Sequence, residues 1–465
     1  MQRILRGCVT LLCCLGTLAH AGEDQRAGRE LAKLKTLDLQ TAQSIALADN
    51  PDMAAAQARI EQARARVRQA TAAWLPSVDV SGAGARQRLS DVTYQYNNAL
   101  AKALGGSADQ TDTNYSANLQ GTWVLFDGFY RTFKERQAVY DEKSVVAARV
   151  NSQRLLVNSV AEAFLNAQLA QTYIDIARAD ESFYTRQLED AQNRYNVGAG
   201  PWGDVLNIKV QVNSAKTTLI RSQREYEAAG YGLAALMGLP EAAFPAGLRL
   251  ASLDKTADVS TALKEKPETL IQEALKTRPD IQRLEMIVQQ AEAAGGMAKA
   301  TFYPKVQASG TLEGAKTGDM GLSGEDFGNT VGVSMRWNLY AGGADQARLI
   351  ETEQAKREAV YTLANLRNSV AAEIRQDIAM LAAAEEQVRL QRDTVQLVQE
   401  NRDLAKNEYE AGESSLVRLN EAQRDLTTTH GRLAQALVSS QLQRQRLLAA
   451  AGRNLASFDV PSAKP

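Results

Sequence analysis

Past residue 21 the chain carries one histidine, His430, and no cysteine; its three cysteines are Cys8, Cys13 and Cys14. Cys/His nucleophile pairs and most zinc sites need more than that. The glycine clusters at 198–200 and 341–343 are not followed by Gly-Lys-Ser/Thr, so they are not phosphate cradles. Acidic and basic residues are spread along helix-forming stretches, as on a solvated rod. No catalytic residue, cofactor or metal is expected. A net charge of -1, with no basic block, argues against a nucleic-acid partner. What remains is non-covalent work by charges and aromatic rings at repeated positions.

Two of those rings, Trp123 and Trp337, mark the same local pattern. From 330 to 339 the residues alternate: Val331, Val333, Met335, Trp337 and Leu339 on one face, Thr330, Gly332, Ser334, Arg336 and Asn338 on the other. That period predicts a strand. It stops at Gly342-Gly343 and runs into a long helical pattern. Trp123, Leu125 and Gly128 repeat Trp337, Leu339 and Gly342, and the alternation upstream of Trp123 reaches back to Asn114.

Residues 1–21 read as a secretory signal, with Arg3 and Arg6, an apolar run from Cys8 to Ala19, and a small-x-small cleavage site at 19–21. Leu12 before Cys13, and Cys13 before Cys14, do not supply the small residue that a lipid anchor needs, so none is expected. No later apolar run approaches the roughly 20 residues of a spanning helix, so strands must carry any membrane passage.

The rest of the chain reads as two copies of one unit. The first repeat is 22–238: helix from 36 to 50, helix from 52 to 75, strands near 76–89 and 114–126, and helices over 129–196 and 203–237. A polar loop fills 89–113. A linker follows at 239–269. The second repeat is 270–452, with strands near 304–313 and 329–340 and helices over 344–411 and 415–451. A tail occupies 453–465. Pro51-Asp52, Leu75-Pro76 and Ser81-Gly82 recur as Pro279-Asp280, Tyr303-Pro304 and Ser309-Gly310, all at an offset of 228. Trp123, Gly128, Tyr195, Gly198 and Gly238 recur as Trp337, Gly342, Tyr409, Gly412 and Gly452, at 214. Registers held over such lengths indicate internal duplication.

Each long helical stretch spans 68 residues, about 100 Å if continuous. Leu363, Leu366, Val370, Ile374, Ile378 and Leu381 form one narrow apolar stripe, which predicts side-by-side helix packing. Strands of about ten residues suit a tilted bilayer crossing. Two hairpins cannot close, and open edges are not viable in lipid, so several chains must share one barrel. Apolar faces would meet lipid and polar faces a wet lumen. Trp123 and Trp337 would lie in the aromatic girdle, and the loops at 89–113 and 313–328 would face outside.

In its duplicated Pro-Asp helix starts, Leu/Tyr-Pro strand entries, Leu125-Phe126-Asp127-Gly128, Leu339-Tyr340-Ala341-Gly342-Gly343 and two Tyr-x-x-Gly turns, the chain resembles the TolC family of outer-membrane channels. The resemblance implies a mainly α fold with a transmembrane β-barrel: a homotrimer whose twelve-stranded outer-membrane barrel continues into a twelve-helix periplasmic α-barrel. It implies a passive exit duct, coupled through a periplasmic membrane fusion (adaptor) protein to an inner-membrane ABC or RND-type transporter. The cargo would be a secreted protein or small molecules. The alternative from another class is a periplasmic or surface coiled-coil adhesin without a channel.

The resemblance also gives roles to the two turns. Tyr195, Gly198 and Gly412 would form turns that meet the adaptor, the glycines accepting the left-handed conformation that ends a helix. Tyr409 and Asp204 match family residues that hold the tip closed. Ser414 stands where the family has an arginine. Of two acidic pore-ring positions, Arg418 occupies the first and Glu421 the second. The expectation is that Arg418 pairs with Asp204 while Glu421 forms the constriction; the bland alternative is that both are solvated helix residues.

Overall fold

Proline and glycine punctuate this chain at fixed intervals, and the elements follow the punctuation. The computed structural model describes residues 35–244, 248–254, 266–318 and 320–458. The expected signal (1–21), parts of the 239–269 linker and the end of the tail lie outside the described residues. The described chain forms two units: one runs up to Arg59, over Val146–Arg283 and on from Ala364, and the other is Ile60–Val145 with Leu284–Leu363.

The first unit begins with β1 (Thr36–Leu37) and α1 (Leu39–Asp49). The helix expected from 36 is shortened because Asp38 caps it, its carboxylate accepting from Thr41 N–H at 2.7 Å, while β1 pairs in parallel with β4 (Arg249–Leu250). Pro51 opens α2 (Pro51–Ala72), its ring suiting the first helical position. The pattern returns at α6 (Pro267–Thr277) and α7 (Pro279–Ala300), whose first and last residues lie 228 beyond those of α1 and α2. The long helix α4 (Tyr130–Asn196) has 67 residues, as has α8 (Ala344–Glu410). Their partners are α5 (Trp202–Leu236) and α9 (Leu416–Ala450). The bounds of each pair differ by 214.

One core of this unit gathers Leu37, Ile45, Phe164, Leu165, Leu233 and Leu437 beside the β1–β4 pair; a second lies under the helix turns. Of the expected stripe on α8, Leu363, Val370, Ile374 and Leu381 are buried. Polar groups also enter the interior, most densely around Arg278. Arg278, with its side chain 4% exposed, grips Asp280 with two nitrogens at 3.1 and 2.7 Å and reaches Glu373 at 2.7 Å. It also donates to the Ala450 carbonyl at 2.9 Å, as Asn50, 228 residues earlier, donates to the Leu236 carbonyl at 2.8 Å. Burial pushes the Asp280 carboxyl up, but the Arg278 hydrogen bonds and the charges of Arg278 and Arg154 bring it below the usual range.

The second unit holds an antiparallel sheet in the order β2-β3-β5-β6: β2 (Ser77–Arg88), β3 (Thr111–Phe126), β5 (Lys305–Thr317) and β6 (Phe327–Arg336). Its register sorts the faces. Val80, Leu119 and Leu312 line up across three strands, as do Gly121, Gly310 and Val331, and Trp123, Ala308 and Val333. The next row is polar: Asp79, Gln120, Thr311 and Thr330. Every residue of β2 and β6 is exposed, and each has one edge unpaired among the described residues.

Two expectations are corrected in this unit. The run 89–113 is not all loop: α3 (Asp91–Ala103) forms there, capped by Ser90, whose hydroxyl accepts from Thr93 N–H. Val92, Tyr96 and Leu100 at intervals of four give it a helical face inside a polar composition. The last strand stops at Arg336 and not at 340: Arg336 pairs with Lys305, the first residue of β5, so β6 has no strand partner beyond it among the described residues, whereas β3 runs on against β5 to Phe126. A bulge at Leu125 also sets Phe126, and not Leu125, opposite Val306.

The strand-to-helix joints repeat even so. Trp123 Nε1 donates to the Trp74 carbonyl at 3.0 Å, and Trp337 Nε1 to the Phe302 carbonyl at 3.1 Å. Both indoles remain about half exposed, at 48% and 53%. At the first joint Arg131 is buried. It pairs with Asp127 at 2.9 Å, stacks over Trp74 at 4.4 Å, and donates to the Ala73 and Leu125 carbonyls.

Candidate functional site: the paired helix turns

Both long helices end on a glycine in the left-handed region, Gly198 at φ 77° and Gly412 at φ 78°. After α4, Gly198 and Ala199 N–H donate back to the Tyr195 and Arg194 carbonyls at 2.9 and 2.8 Å. After α8, Gly412 N–H donates to Tyr409 and Glu413 N–H to Glu408, at 3.1 and 2.9 Å. These bonds satisfy carbonyls that a helix end leaves open. A Cβ at either glycine would meet nothing within 4 Å, so the glycines serve conformation and not close packing.

The helices leaving the turns are started differently. Pro201 precedes α5 without a side-chain cap, and the half-exposed Trp202 packs on Tyr195 with ring centroids 5.0 Å apart. Ser415 caps α9, its hydroxyl accepting from Arg418 N–H at 3.4 Å. Beneath both turns lies a shared core of Phe183, Tyr184, Val205, Ile208, Val212, Leu416 and Leu419, which fixes the turns side by side.

Across this pairing the Tyr409 hydroxyl donates to Asp204 Oδ2 at 3.4 Å, a long bond. Arg194 lies over the Tyr409 ring at 5.3 Å. Burial, then the Asp204 charge, pushes the Tyr409 phenol above its usual range. Asp204 stands in the first turn of α5, where the helix dipole favours a carboxylate.

Arg418 is not at Asp204. Its guanidinium lies 3.4 Å from Glu408 Oε2, back across its own turn, with the arginine side chain 53% exposed. A pair this exposed contributes about 0–1 kcal/mol. Ser414 contributes its backbone N–H, bonded to the Glu408 carbonyl at 3.2 Å. Glu421 is exposed on α9 and has no ion pair among the described residues.

One network here was not foreseen. Asp180 Oδ1 accepts from Gln423 at 2.8 Å and from Thr427 at 2.9 Å, tying α4 to α9 beside the tip core. It borders a cavity of about 310 Å³ that His430 and Arg402 also line. Gln423 and Thr427 sit one turn apart on one face of α9, so helical spacing could have grouped them, but nothing in the sequence assigns them Asp180. Burial, then the Asp180 charge, pushes the Tyr184 phenol up to about 12. The arrangement holds charge and hydrogen bonds at a helix-turn junction, with no nucleophile–base pair in it.

The family described as outer membrane efflux protein matches residues 42–239 and 270–453. The chain belongs to that family. It is 28% identical over 407 residues to the antibiotic efflux pump outer membrane protein ArpC of Pseudomonas putida, covering 85% of this chain and 78% of ArpC. It is 24% identical over 425 residues to the cation efflux system protein CusC of Escherichia coli K12, covering 88% and 85%. The fold matches the crystal structure of CusC with a TM-score of 0.75 at 20% identity, over 89% of this chain and 92% of that one. It matches the outer membrane protein VceC of Vibrio cholerae at 0.71 and 19%, over 89% and 96%. The chain is thus an outer-membrane exit channel for efflux, with a largely helical fold. The matched family is one of channels and not of enzymes, and the adhesin alternative has no support from it.

Proposed function

We propose that three copies of this chain form one duct across the outer membrane, and that the chain is two copies of one ancestral unit. The observation that carries closure by further copies is the four-stranded sheet with an unpaired strand at each edge among the described residues, β2 and β6; the number three is what the resemblance to the TolC family implies. Buried in lipid, such edges cost several kcal/mol for each unpaired group. Three copies would join β2 to β6 in turn, giving a closed barrel of twelve strands, and the four long and paired helices of each copy, twelve in all, would gather into the periplasmic tunnel. The apolar rows, with Val80, Leu119, Leu312 and Val333, face lipid; the polar rows face water. Trp123 and Trp337 join the aromatic girdle.

Energy for transport comes from elsewhere, since the site holds no group that could supply it. A periplasmic adaptor, contacting the turns at Tyr195, Gly198 and Gly412, links the duct to an inner-membrane pump of the ABC or RND type. The cargo class we propose is small molecules, as in the efflux proteins that this chain is similar to. The turns act as the gate. The Tyr409–Asp204 bond holds them together, and the exposed Glu421, repeated around the axis, makes a cation-favouring ring.

The deciding experiment sizes the detergent-extracted protein by light scattering and then records it in a planar bilayer. A conducting trimer whose cation preference is lost in Glu421→Lys is the expected result. A conducting trimer indifferent to that change would keep the duct and remove Glu421 from the gate. A soluble species without conductance would end the channel assignment.

A further inference from the structure

Helix α3 is built with its apolar stripe outward. Val92, Tyr96, Leu100 and Leu104 are 80%, 71%, 55% and 82% exposed, a continuous apolar stripe, while Tyr94, Asn97, Asn98 and Ala101 are half-buried. The helix is held in that orientation. Gln110 donates to Asp91 Oδ1 at 2.6 Å, Ala108 N–H to Asn98 Oδ1 at 3.5 Å, and Gly106 N–H closes the helix end on the Ala101 carbonyl at 2.8 Å. An amphipathic helix fixed with its apolar side outward requires a covering surface.

The position of α3 selects that surface. It follows directly on β2, one of the two free edges. In an antiparallel join between β2 and β6 of the next copy, the end of β2 meets the beginning of β6. The turn leading into β6 therefore arrives beside α3. That turn carries Met320, 78% exposed, and Phe327 at its end, 36% exposed. The charges also match. Arg86 and Arg88, both exposed, end β2 and have no ion pair among the described residues, while Glu325 and Asp326 precede β6.

We propose that α3 is a clasp between copies: its stripe of Val92, Tyr96, Leu100 and Leu104 packs on the β5–β6 turn of a second copy of this chain, around Met320, with Arg86 and Arg88 facing Glu325 and Asp326. The clasp rests on the trimer reading above and adds an interface outside the strands. It secures the seam that hydrogen bonds between β2 and β6 alone would form.

The test co-expresses two differently tagged full-length chains, one Leu100→Cys and the other Met320→Cys, so that any disulfide between these positions must join two copies. The unsubstituted chain, run alongside, reports links through Cys8, Cys13 or Cys14. Light scattering first establishes the trimer. Oxidation is then expected to give a covalent dimer carrying both tags, absent from either variant alone. Leu100→Glu is expected to lose the detergent-resistant trimer at temperatures where the unsubstituted protein keeps it. A trimer with no mixed dimer and an unaltered dissociation temperature overturns the clasp while leaving the trimer. Quenching of a bimane on Leu100→Cys by brominated phospholipid would assign the stripe to lipid and equally overturn it. A monomer would overturn both readings together.

Discussion

Asp377 is the residue whose ionisation sets itself against the fold. Burial pushes its carboxyl from 3.8 up to about 6, and Glu373, one turn earlier on α8, adds to the push. Arg446 and Arg278 pull the other way without cancelling it. A folded state that holds this proton more tightly than the unfolded chain is favoured at low pH. The penalty is absent below the unfolded value, grows as pH rises through about 6, and is complete above it. Asp377→Asn should therefore raise the thermal midpoint at pH 7.5 and leave it nearly unchanged at pH 4, as followed by helical circular dichroism. An equal shift at both values would mean that packing, and not charge, explains the effect. The nearby Arg278 shows the opposite solution, since its partners Asp280 and Glu373 keep it paired where it is buried. Neither residue announces this in the sequence. Arg278 and Asp280 flank Pro279, and the Pro-Asp pair was legible as a helix start. Which carbonyl and which carboxylate complete the cluster depends on helices about 100 and 170 residues away.

At the scale of elements, the joint between strand and helix repays attention to its glycines. Gly128 and Gly342 both have positive φ, at 68° and 66°, and recur at the same place in the two halves. Their surroundings differ. A Cβ on Gly128 would stand 2.6 Å from the Ala300 carbonyl oxygen and 2.7 Å from Tyr303 Cβ; one on Gly342 would meet nothing within 4 Å. Alanine at either costs about 1–2 kcal/mol for the left-handed backbone. Only Gly128→Ala adds a collision with backbone, so it should lower the unfolding midpoint clearly more than Gly342→Ala does. Equal losses would show that conformation alone decides. Helices, turns and joints were legible here because proline, glycine and tryptophan recur at constant offsets. The α3 helix was missed because a polar composition hid a four-residue spacing. The end of β6 was overrun because alternation reports which way side chains point and not whether a neighbouring strand is present. At the tip, Tyr409 bonds to Asp204, while Arg418 lies at Glu408 across its own turn, a partner that helical spacing alone does not point to.

For the whole molecule, the two faces of the sheet make the sharpest contrast. Val333 and Ser334 are neighbours on β6, and register sets Val333 in an apolar row and Ser334 opposite Gln307. In the proposed barrel, Val333→Arg puts a charge into lipid at a cost of about 2–4 kcal/mol near the midplane, while Ser334→Arg puts it into water. Folding yield into lipid vesicles should fall for the first and hold for the second. Equal yields would mean that neither face meets hydrocarbon. The unpaired edges of β2 and β6 reach further, into genetics. The proposed barrel of three copies would be only as sound as its worst member, so a chain that still pairs its edges but cannot open would act on copies made from an intact gene. With equal amounts of both and random mixing, about one assembly in eight is wholly intact. Faulty alleles that keep an edge should behave as dominant, and those that lose both as recessive.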